Sequence, residues 1–321
     1  MGTFSELLPV LGTAFGLQAL LGSVFVPLQS EKYFDFGGSL GFLSCAFVSL
    51  VRPDGSDWSW KSVTASGRAR STRQLLATGA LVLWSGRLGV FLLRRIIKSG
   101  RDRRFDAIKK NPARFFRAWI LQGLWITIVG LPVWLMNTVP AALSPPMGVL
   151  DSVGSGIFVT SFVLETVADY QKSQWRREKE ARKHNNAFIN RGLWRYSRHP
   201  NYAAEVGIHT GIAILASSAM PSVTLKALTC ISPLFTYLLL SKVSGVPLLE
   251  RASDAKLGSD RKYQEYKRCV LITACRLNLA SNRWTYFSRN TPIYSLGDGL
   301  ETYRRAHSSF TCFQMSGCNV G

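Results

Sequence analysis

Long uncharged stretches recur along the chain and alternate with strongly basic ones. Residues 7–28 and residues 118–139 each carry no charged side chain over 22 residues. A helix of this length, at 1.5 Å per residue, can cross a hydrocarbon core about 30 Å thick. Weaker apolar stretches occupy residues 36–51, 75–93, 147–168, 203–219 and 224–249. The pattern predicts an all-α fold, a polytopic membrane helix bundle of about seven transmembrane helices.

The apolar pattern also sets the expected domain organisation, because it stops near residue 270. We predict a transmembrane domain over residues 1–270 and a poorly ordered C-terminal tail over residues 271–321. The first apolar stretch lacks a basic segment before it and a small-residue cleavage site after it, so we expect a retained helix rather than a signal peptide.

The charge is strongly positive, with 39 Lys and Arg residues against 19 Asp and Glu residues and a net charge of +20. Such an excess favours an anionic partner, whether nucleic acid, an anionic membrane surface or a phosphorylated ligand. Since apolar helices dominate, we expect membrane lipids and a hydrophobic small molecule as partners, and no nucleic acid. The oligomeric state stays open.

Two basic loops predict the orientation in the membrane. Residues 94–117 hold ten Lys or Arg residues and residues 170–200 hold nine, with two predicted spans between them. The positive-inside rule therefore places both loops, and the C-terminus, in the cytosol. Residues 52–73 carry five basic residues on the opposite side. We base the predicted orientation on the two larger loops, because they carry more basic residues.

Several common sites are absent from the sequence. The six cysteines include no CxxC pair and the four histidines are scattered, so no metal site is predicted. Neither a GxGxxG motif after a strand nor a GxxxxGK[ST] motif occurs, which argues against a soluble nucleotide-binding fold.

Polar side chains lie on one face of a predicted helix near the end of the fifth span. Glu165, Asp169 and Lys172 follow one another at the spacing of helix turns. Ionisable groups in a bilayer are costly and usually serve a function. The spacing fits either a ligand site or a solvated helix end with an ion pair inside the helix, and it leaves both open.

The stretch "GLWRYSRHPNYAAE", residues 192–205, has a similar geometry. Pro200 suits the first turn of a helix, and a helix beginning there places Asn201, Glu205 and His209 on one face. We expect His209 to be a packing residue with its polar atoms satisfied. The guanidinium groups of Arg191, Arg195 and Arg198, which precede this helix, suit phosphate groups. A helix N-terminus also suits an anion.

Together these features are consistent with a binding site that opens to the cytosol and takes an anionic, nucleotide-like ligand. A lipid would then be held between the spans. A second interpretation makes the same residues a basic and aromatic membrane anchor, with Trp194, Tyr196 and Tyr202 at the interface. A third interpretation is a non-catalytic membrane protein that scaffolds lipids or partners, which a dispersed set of polar residues would suit better than this coherent one.

The same stretch resembles the signature of the steroid 5-alpha-reductase-like membrane family, in its DUF1295 branch. Four further segments resemble that branch: "YFDFGGSLGFLS" (33–44), "SGRLGVFLLRRIIKSGRDRRFD" (85–106), "LQGLWITIVGLPV" (121–133), and "SGVPLLER" with "YQEYKR" (244–251 and 263–268). Two departures are Ala204 in the place of a usual glycine and the absence of the usual Ile-Pro ending.

The resemblance implies an enzyme of the endoplasmic reticulum membrane, an oxidoreductase acting on CH–CH groups. It would use NADPH to reduce an activated carbon–carbon double bond in a steroid, sterol or other lipid. The cofactor-binding residues it implies are Glu165, Asp169, Lys172, Arg195, Tyr196, Arg198, His199, Asn201, Tyr202 and Glu205. The proton donor is not identified, and Tyr33 and Gln122 are candidates by position only.

One related family leaves a different reaction open. Isoprenylcysteine carboxyl methyltransferases share an Arg-His-Pro-x-Tyr element, bind S-adenosylmethionine and methylate a lipid-linked acceptor. The carboxylate of Glu205, one turn after Asn201, favours the reductase.

Overall fold

The computed structural model describes residues 5–51 and 70–270, and the regular elements within these ranges are helical. The predicted tail and most of the loop 52–73 lie outside the described residues. Two compact units divide the chain. The first comprises Met1–Tyr170 with Asn201–Leu248, and the second comprises Gln171–Pro200 with Leu249–Gly321.

The described chain contains eleven α-helices, four short 3₁₀ segments and one π-helical turn. The α-helices are α1 (Leu8–Phe25), α2 (Phe34–Val51), α3 (Thr72–Ser99), α4 (Pro112–Val129), α5 (Leu131–Thr138), α6 (Val149–Glu180), α7 (Pro200–Ser217), α8 (Val223–Thr229), α9 (Ile231–Leu238), α10 (Val246–Leu257) and α11 (Arg261–Cys269). The 3₁₀ segments are Ser5–Leu7, Arg103–Phe105, Ala141–Leu143 and Gly192–Arg195, and the π turn is Leu239–Val243.

Local sequence explains where the helices of the first unit begin and end. A capping box of Ser71 and Gln74 opens α3, and Gly100, in the left-handed conformation with φ 76°, closes it. The side chain of Asn111 caps α4 by accepting a hydrogen bond from the Arg114 backbone N–H. Helix α7 begins at Pro200, as the sequence predicts.

Five helical segments of the described chain are long and apolar enough to cross a membrane, and a bent pair would make six. The five are Ser5–Phe25, Phe34–Val51, Thr72–Ser99, Val149–Glu180 and Val223–Leu257. The protein is therefore an integral membrane protein, all-helical over the described residues, and these residues do not confirm the predicted count of about seven spans.

Two predicted spans account for the difference in number. The stretch 118–139 is broken at Gly130, where α4 and α5 meet at a bend of 57°. The Trp134 ring packs onto Gly130 so closely that a Cβ there would lie 2.2 Å from it. The stretch 203–219 forms most of α7, whose polar residues Asn201 and Glu205 lower its mean hydropathy.

Close packing of glycines brings α6 and α7 together in the first unit. A Cβ on Gly211 of α7 would lie 2.6 Å from the Phe158 backbone nitrogen, and one on Gly154 of α6 would lie 2.8 Å from the Gly211 carbonyl oxygen. Only hydrogen side chains allow the two backbones to approach in this way. Polar residues of α6 and α7 are consequently held at short range from each other.

A buried ion pair joins the beginnings of α3 and α6. Arg73 donates from Nε to Asp151 Oδ1 at 2.6 Å, and both side chains are 2 % exposed. The same guanidinium binds the Ser144 hydroxyl and the carbonyl oxygens of Pro145 and Pro146. Asp151 also accepts hydrogen bonds from Ser218 and from the Gly148 backbone. This end of the first unit is thus fixed by a saturated polar network.

In the second unit, residues 191–198 pack against the C-terminal helices. These residues include Arg191, Arg195 and Arg198, and we call them the arginine-rich stretch. The Tyr266 hydroxyl of α11 donates to the Trp194 carbonyl oxygen at 2.6 Å. The Phe188 ring contacts the rings of Tyr263 and Tyr266, with centroid distances of 5.4 and 5.0 Å. The Gln171 side chain accepts a hydrogen bond from the Leu193 backbone N–H at 2.9 Å. These bonds fix the backbone of the 3₁₀ segment.

Candidate functional site

An acidic cluster in the first unit joins α3, α6 and α7. Glu165 and Asp169, one turn apart on α6, share the guanidinium of Arg87 on α3. Arg87 Nη1 lies 3.0 Å from Asp169 Oδ2, and Nη2 contacts Glu165 Oε1. Asn201, at the start of α7, donates from Nδ2 to Asp169 Oδ1 at 3.3 Å. Three helices therefore contribute to one polar layer, which we call the acidic cluster.

The acidic cluster is largely shielded from solvent. The side chains of Glu165, Asp169 and Arg87 are 3 %, 9 % and 16 % exposed. Despite this burial, Glu165 Oε2, Asn201 Oδ1 and Arg87 Nε have no hydrogen-bond partner among the described residues. Buried polar atoms are almost always paired in folded proteins. The acidic cluster therefore holds two buried acceptor oxygens that the described residues leave without a hydrogen bond.

Glu205 and Tyr202 of α7 extend the acidic cluster. Glu205 follows Asn201 by one turn, is partly buried, and lies within electrostatic range of Glu165, Asp169 and Arg87. Tyr202 packs against Gly245, whose Cβ would lie 3.0 Å from the tyrosine ring. The structure thus brings together four residues that the sequence selects on two separate helices: Glu165, Asp169, Asn201 and Glu205.

The acidic residues of α6 bind Arg87, whereas Lys172 on the same helix belongs to the second unit. There its Nζ lies 4.3 Å from the centroid of the buried Trp194 ring, a cation–π contact.

In the second unit, Glu250 of α10 holds the arginine-rich stretch. Its carboxylate accepts from Arg198 Nη1 at 2.6 Å and contacts His199 Nε2 at 2.9 Å. Lys267 of α11 lies 3.3 Å from the same carboxylate. Burial lowers the pKa of His199 and outweighs the opposing effect of the Glu250 hydrogen bond. Arg195 and Tyr196 are exposed.

The two positional candidates for a proton donor lie beside α2. Gln122 donates from Nε2 to the Phe34 carbonyl oxygen at 3.0 Å and packs over Gly38, while its Oε1 is buried without a partner in the described chain. Tyr33 is exposed and contacts the Phe25 ring at a centroid distance of 5.3 Å. Neither arrangement assigns a proton-donating role, so both remain candidates.

The sequence analysis missed two residues that organise these sites, Arg87 and Glu250. The signal for Arg87 was present, because it is a single cation inside the apolar stretch 75–93. Glu250 carries no comparable signal, since its partners are 52 and 51 residues away in sequence. Within the described ranges, no group of three or more His, Cys, Asp and Glu residues is placed to hold a metal ion.

Comparison with known proteins gives one match. The model of a family described as a protein of unknown function, DUF1295, matches residues 28–270. The chain belongs to the DUF1295 family. No curated protein and no solved structure matches this family member. The matched range of the DUF1295 domain includes Arg87, the acidic pair of α6, Asn201, Glu205 and Glu250.

Proposed function

We propose that this DUF1295 protein is a membrane reductase that uses NADPH to reduce a carbon–carbon double bond in a steroid, sterol or other lipid. The observation that carries the proposal is the acidic cluster, in which Glu165 Oε2 and Asn201 Oδ1 are buried and unpaired within the described chain. The resemblance to the steroid 5-alpha-reductase-like family points to the same reaction. We place the protein in the endoplasmic reticulum membrane, with its basic loops in the cytosol.

The residues of the acidic cluster fit the nicotinamide half of such a cofactor. Ribose hydroxyls and a carboxamide group are hydrogen-bond donors, and carboxylate and amide oxygens are the acceptors that they need. Glu165, Asn201 and Glu205 would hold these groups, and Arg87 would keep the carboxylates in place.

The second unit has its own candidates for an anionic group. Arg195 is exposed, and Arg198 keeps a buried Nε without a partner among the described residues. Guanidinium groups bind phosphate through paired hydrogen bonds. We expect Arg195→Ala or Arg198→Ala to weaken NADPH binding by about 1–3 kcal/mol.

The negative charge of the acidic cluster favours a reductase over a methyltransferase. Glu165 and Asp169 bind the Arg87 guanidinium and Glu205 lies within its electrostatic range, an arrangement that further positive charge nearby would stabilise. NADPH supplies a hydride when bound and gains positive charge by giving it up, whereas S-adenosylmethionine loses its positive charge with its methyl group. A surplus of carboxylates therefore promotes the first reaction and hinders the second.

The same surplus supports one alternative, because it would also bind a cationic ligand tightly. A methyltransferase that uses S-adenosylmethionine and acts on a lipid-linked acceptor is thus the second candidate. The deciding experiment is a titration of the purified protein in detergent with NADPH and, separately, with S-adenosylmethionine. We expect binding of NADPH and no measurable binding of S-adenosylmethionine.

Variants make the titration specific to the acidic cluster. Glu205→Gln keeps the shape of the side chain but removes its charge, and we expect folded protein with weaker NADPH binding and a large loss of turnover. Asn201→Ala should behave similarly, and the double variant should lose less than the sum if both residues bind one ligand. Glu265→Gln, a change of the same kind on α11, is the control. Full NADPH affinity in Glu205→Gln, with S-adenosylmethionine protecting the protein from heat, would establish the methyltransferase instead.

A further inference from the structure

Polar groups without a partner occur both inside the first unit and on its outer surface. Inside, His209 of α7 is 1 % exposed and neither ring nitrogen has a hydrogen-bond partner among the described residues, which corrects the expectation that its polar atoms are satisfied. On the outside, three cations at the end of the loop 94–117 have no carboxylate partner within the described chain: Lys110, Arg114 and Arg117. A ligand can reach these exposed cations without displacing a packed side chain.

Earlier in the same loop, much of the positive charge is balanced within the first unit. Four cations form ion pairs with acidic residues, at distances between 2.5 and 3.9 Å. The cations are Arg95, Arg101, Arg104 and Lys109, and the acidic residues are Glu31, Asp35, Asp102 and Asp106. Lys110, Arg114 and Arg117 therefore add positive charge at the start of α4 that no described carboxylate balances.

Helix α4 presents two of these cations and two leucines on its exposed side. Arg114, Arg117, Leu121 and Leu124 are spaced three, four and three residues apart, which keeps them on one helix face. Both arginines are exposed, and the leucines are 63 % and 41 % exposed. The buried residues of α4, which include Trp119, lie on the opposite face, since successive residues turn by about 100° around a helix. We call the four exposed residues the outer face of α4.

The outer face of α4 is charged where the helix begins and apolar further along. Helices α4 and α5 together are long and apolar enough to form one bent span. Arg117 and Leu124 are two helix turns apart, which corresponds to about 10 Å along the axis. A phosphate group bound at the arginines would therefore leave an attached acyl chain beside the leucines.

We propose that the outer face of α4, together with Lys110, binds an anionic phospholipid. Guanidinium groups hold phosphate through paired hydrogen bonds, and the exposed leucines bury part of an acyl chain. Basic residues near a membrane attract a lipid of net negative charge more strongly than a zwitterionic one. The leucines favour a lipid over inorganic phosphate or a soluble polyanion, which cations alone would bind. The inference does not depend on the proposed reductase function.

The test measures lipid binding to the full-length protein in an uncharged detergent by native mass spectrometry. The probes are dioleoylphosphatidylglycerol and dioleoylphosphatidylcholine, which share their acyl chains and differ in net charge. We expect the wild type to bind phosphatidylglycerol more tightly. Arg114→Gln and Arg117→Gln should each lower that affinity about fivefold, and the double variant about 25-fold, with little change for phosphatidylcholine. Inorganic phosphate should not displace the lipid.

A matched double variant controls for the loss of charge. Arg182→Gln with Lys183→Gln also removes two exposed cations, but these follow the end of α6 and precede no apolar helix face in the described chain. This variant should keep the wild-type affinity. A phosphatidylglycerol that carries a diazirine in its acyl chain supplies a readout of position. It should label the peptide that contains Leu121 and Leu124 in the wild type and in the control, and much less in Arg114→Gln/Arg117→Gln.

The possible outcomes decide whether α4 holds this lipid. Equal affinity of the wild type for the two lipids would overturn the inference. Equal losses in the two double variants would also overturn it, because overall charge would then explain the binding. Displacement of phosphatidylglycerol by inorganic phosphate would indicate a soluble anion as the ligand instead. NADPH affinity should stay at the wild-type value in Arg114→Gln/Arg117→Gln, so failure of the lipid site and failure of the proposed function are measured separately.

Discussion

Arg87→Gln is the variant that tests the acidic cluster most directly. The substitution removes the cation that Glu165 and Asp169 share, and it leaves two carboxyl groups with side chains only 3 % and 9 % exposed. The glutamine occupies much of the arginine volume, so the change is mainly one of charge. The burial of the two partners is what makes the effect large, because the same ion pair at a surface would contribute little.

The expected loss of stability follows from this burial. Breaking a buried ion pair by removing one partner costs about 3–5 kcal/mol, since an unpaired charge stays behind. Arg87 itself is 16 % exposed, so some solvent screening remains and we expect the lower end, about 3 kcal/mol. Arg87→Lys keeps the charge but not the fork that reaches both carboxylates, and its loss should be smaller.

The assay is reversible unfolding in mixed detergent micelles, followed by a signal from the helices. The decisive comparison is a triple variant that combines Arg87→Gln with Glu165→Gln and Asp169→Asn. It removes the stranded charges, and we expect it to recover most of the lost stability although it contains more substitutions. The triple variant should nevertheless bind NADPH poorly, because its acceptors have changed.

Arg73→Gln supplies a matched control in the same unit. Its guanidinium bonds to Asp151, Ser144 and two backbone carbonyls, so its loss of stability should equal or exceed that of Arg87→Gln. NADPH affinity per folded molecule should stay at the wild-type value in this variant. If Arg87→Gln unfolds like the wild type, or the triple variant is no more stable than Arg87→Gln alone, the argument from buried charge is wrong.

Three other predictions address topology and packing. Single cysteines placed in the loops 94–117 and 170–200 should react with a membrane-impermeant reagent from the cytosolic side, and labelling of one loop only from the lumen would contradict the orientation. Gly211→Ala should destabilise the protein by about 1–3 kcal/mol in the same unfolding assay, because its Cβ would meet backbone atoms, whereas Gly156→Ala, with no atom within 4 Å, should be neutral or stabilising. Glu250→Gln should lower the melting temperature by loosening Arg198, and an unchanged melting temperature would assign this carboxylate no structural role.

The fold could be predicted from sequence as far as local signals determine it. The apolar stretches, the cap at Ser71 and Pro200 at the start of α7 are local, and the helices begin and end close to where these signals lie. The break at Gly130 was not predicted, because it depends on how the Trp134 ring packs against that glycine. The sequence analysis predicted a span over residues 203–219, but α7 is not among the five helical segments that are apolar enough to cross a membrane. Composition did not decide this, because the sequence of α7 suits both a polar helix and a span.

The candidate site shows a similar limit. Helix spacing placed Glu165 with Asp169, and Asn201 with Glu205, on single faces, but spacing does not say which faces meet. The contact between α6 and α7 depends on Gly154 and Gly211, and the importance of these glycines is apparent only from the packed structure. The partner of the acidic pair was equally hidden, because Arg87 lies 78 residues before Glu165 in sequence.

Two ion pairs between α3 and α6 give the strongest physical argument for a ligand at the acidic cluster. At one end, Arg73 and Asp151 are buried and the described structure leaves none of their side-chain nitrogen or oxygen atoms both buried and unpaired. An ion pair buried in this protein can therefore have its polar atoms hydrogen-bonded where stability is the only requirement. Further along the same two helices, Arg87 and Glu165 have a buried nitrogen and a buried oxygen left without partners in the described chain. Both ion pairs are largely buried, although Arg87 is 16 % exposed and Arg73 only 2 %, and only the pair of Arg87 and Glu165 leaves buried atoms without partners in the described chain. The proposed ligand would complete both atoms if it donated a hydrogen bond to Glu165 Oε2 and offered an acceptor to Arg87 Nε, and the titrations with NADPH and S-adenosylmethionine test for that ligand directly.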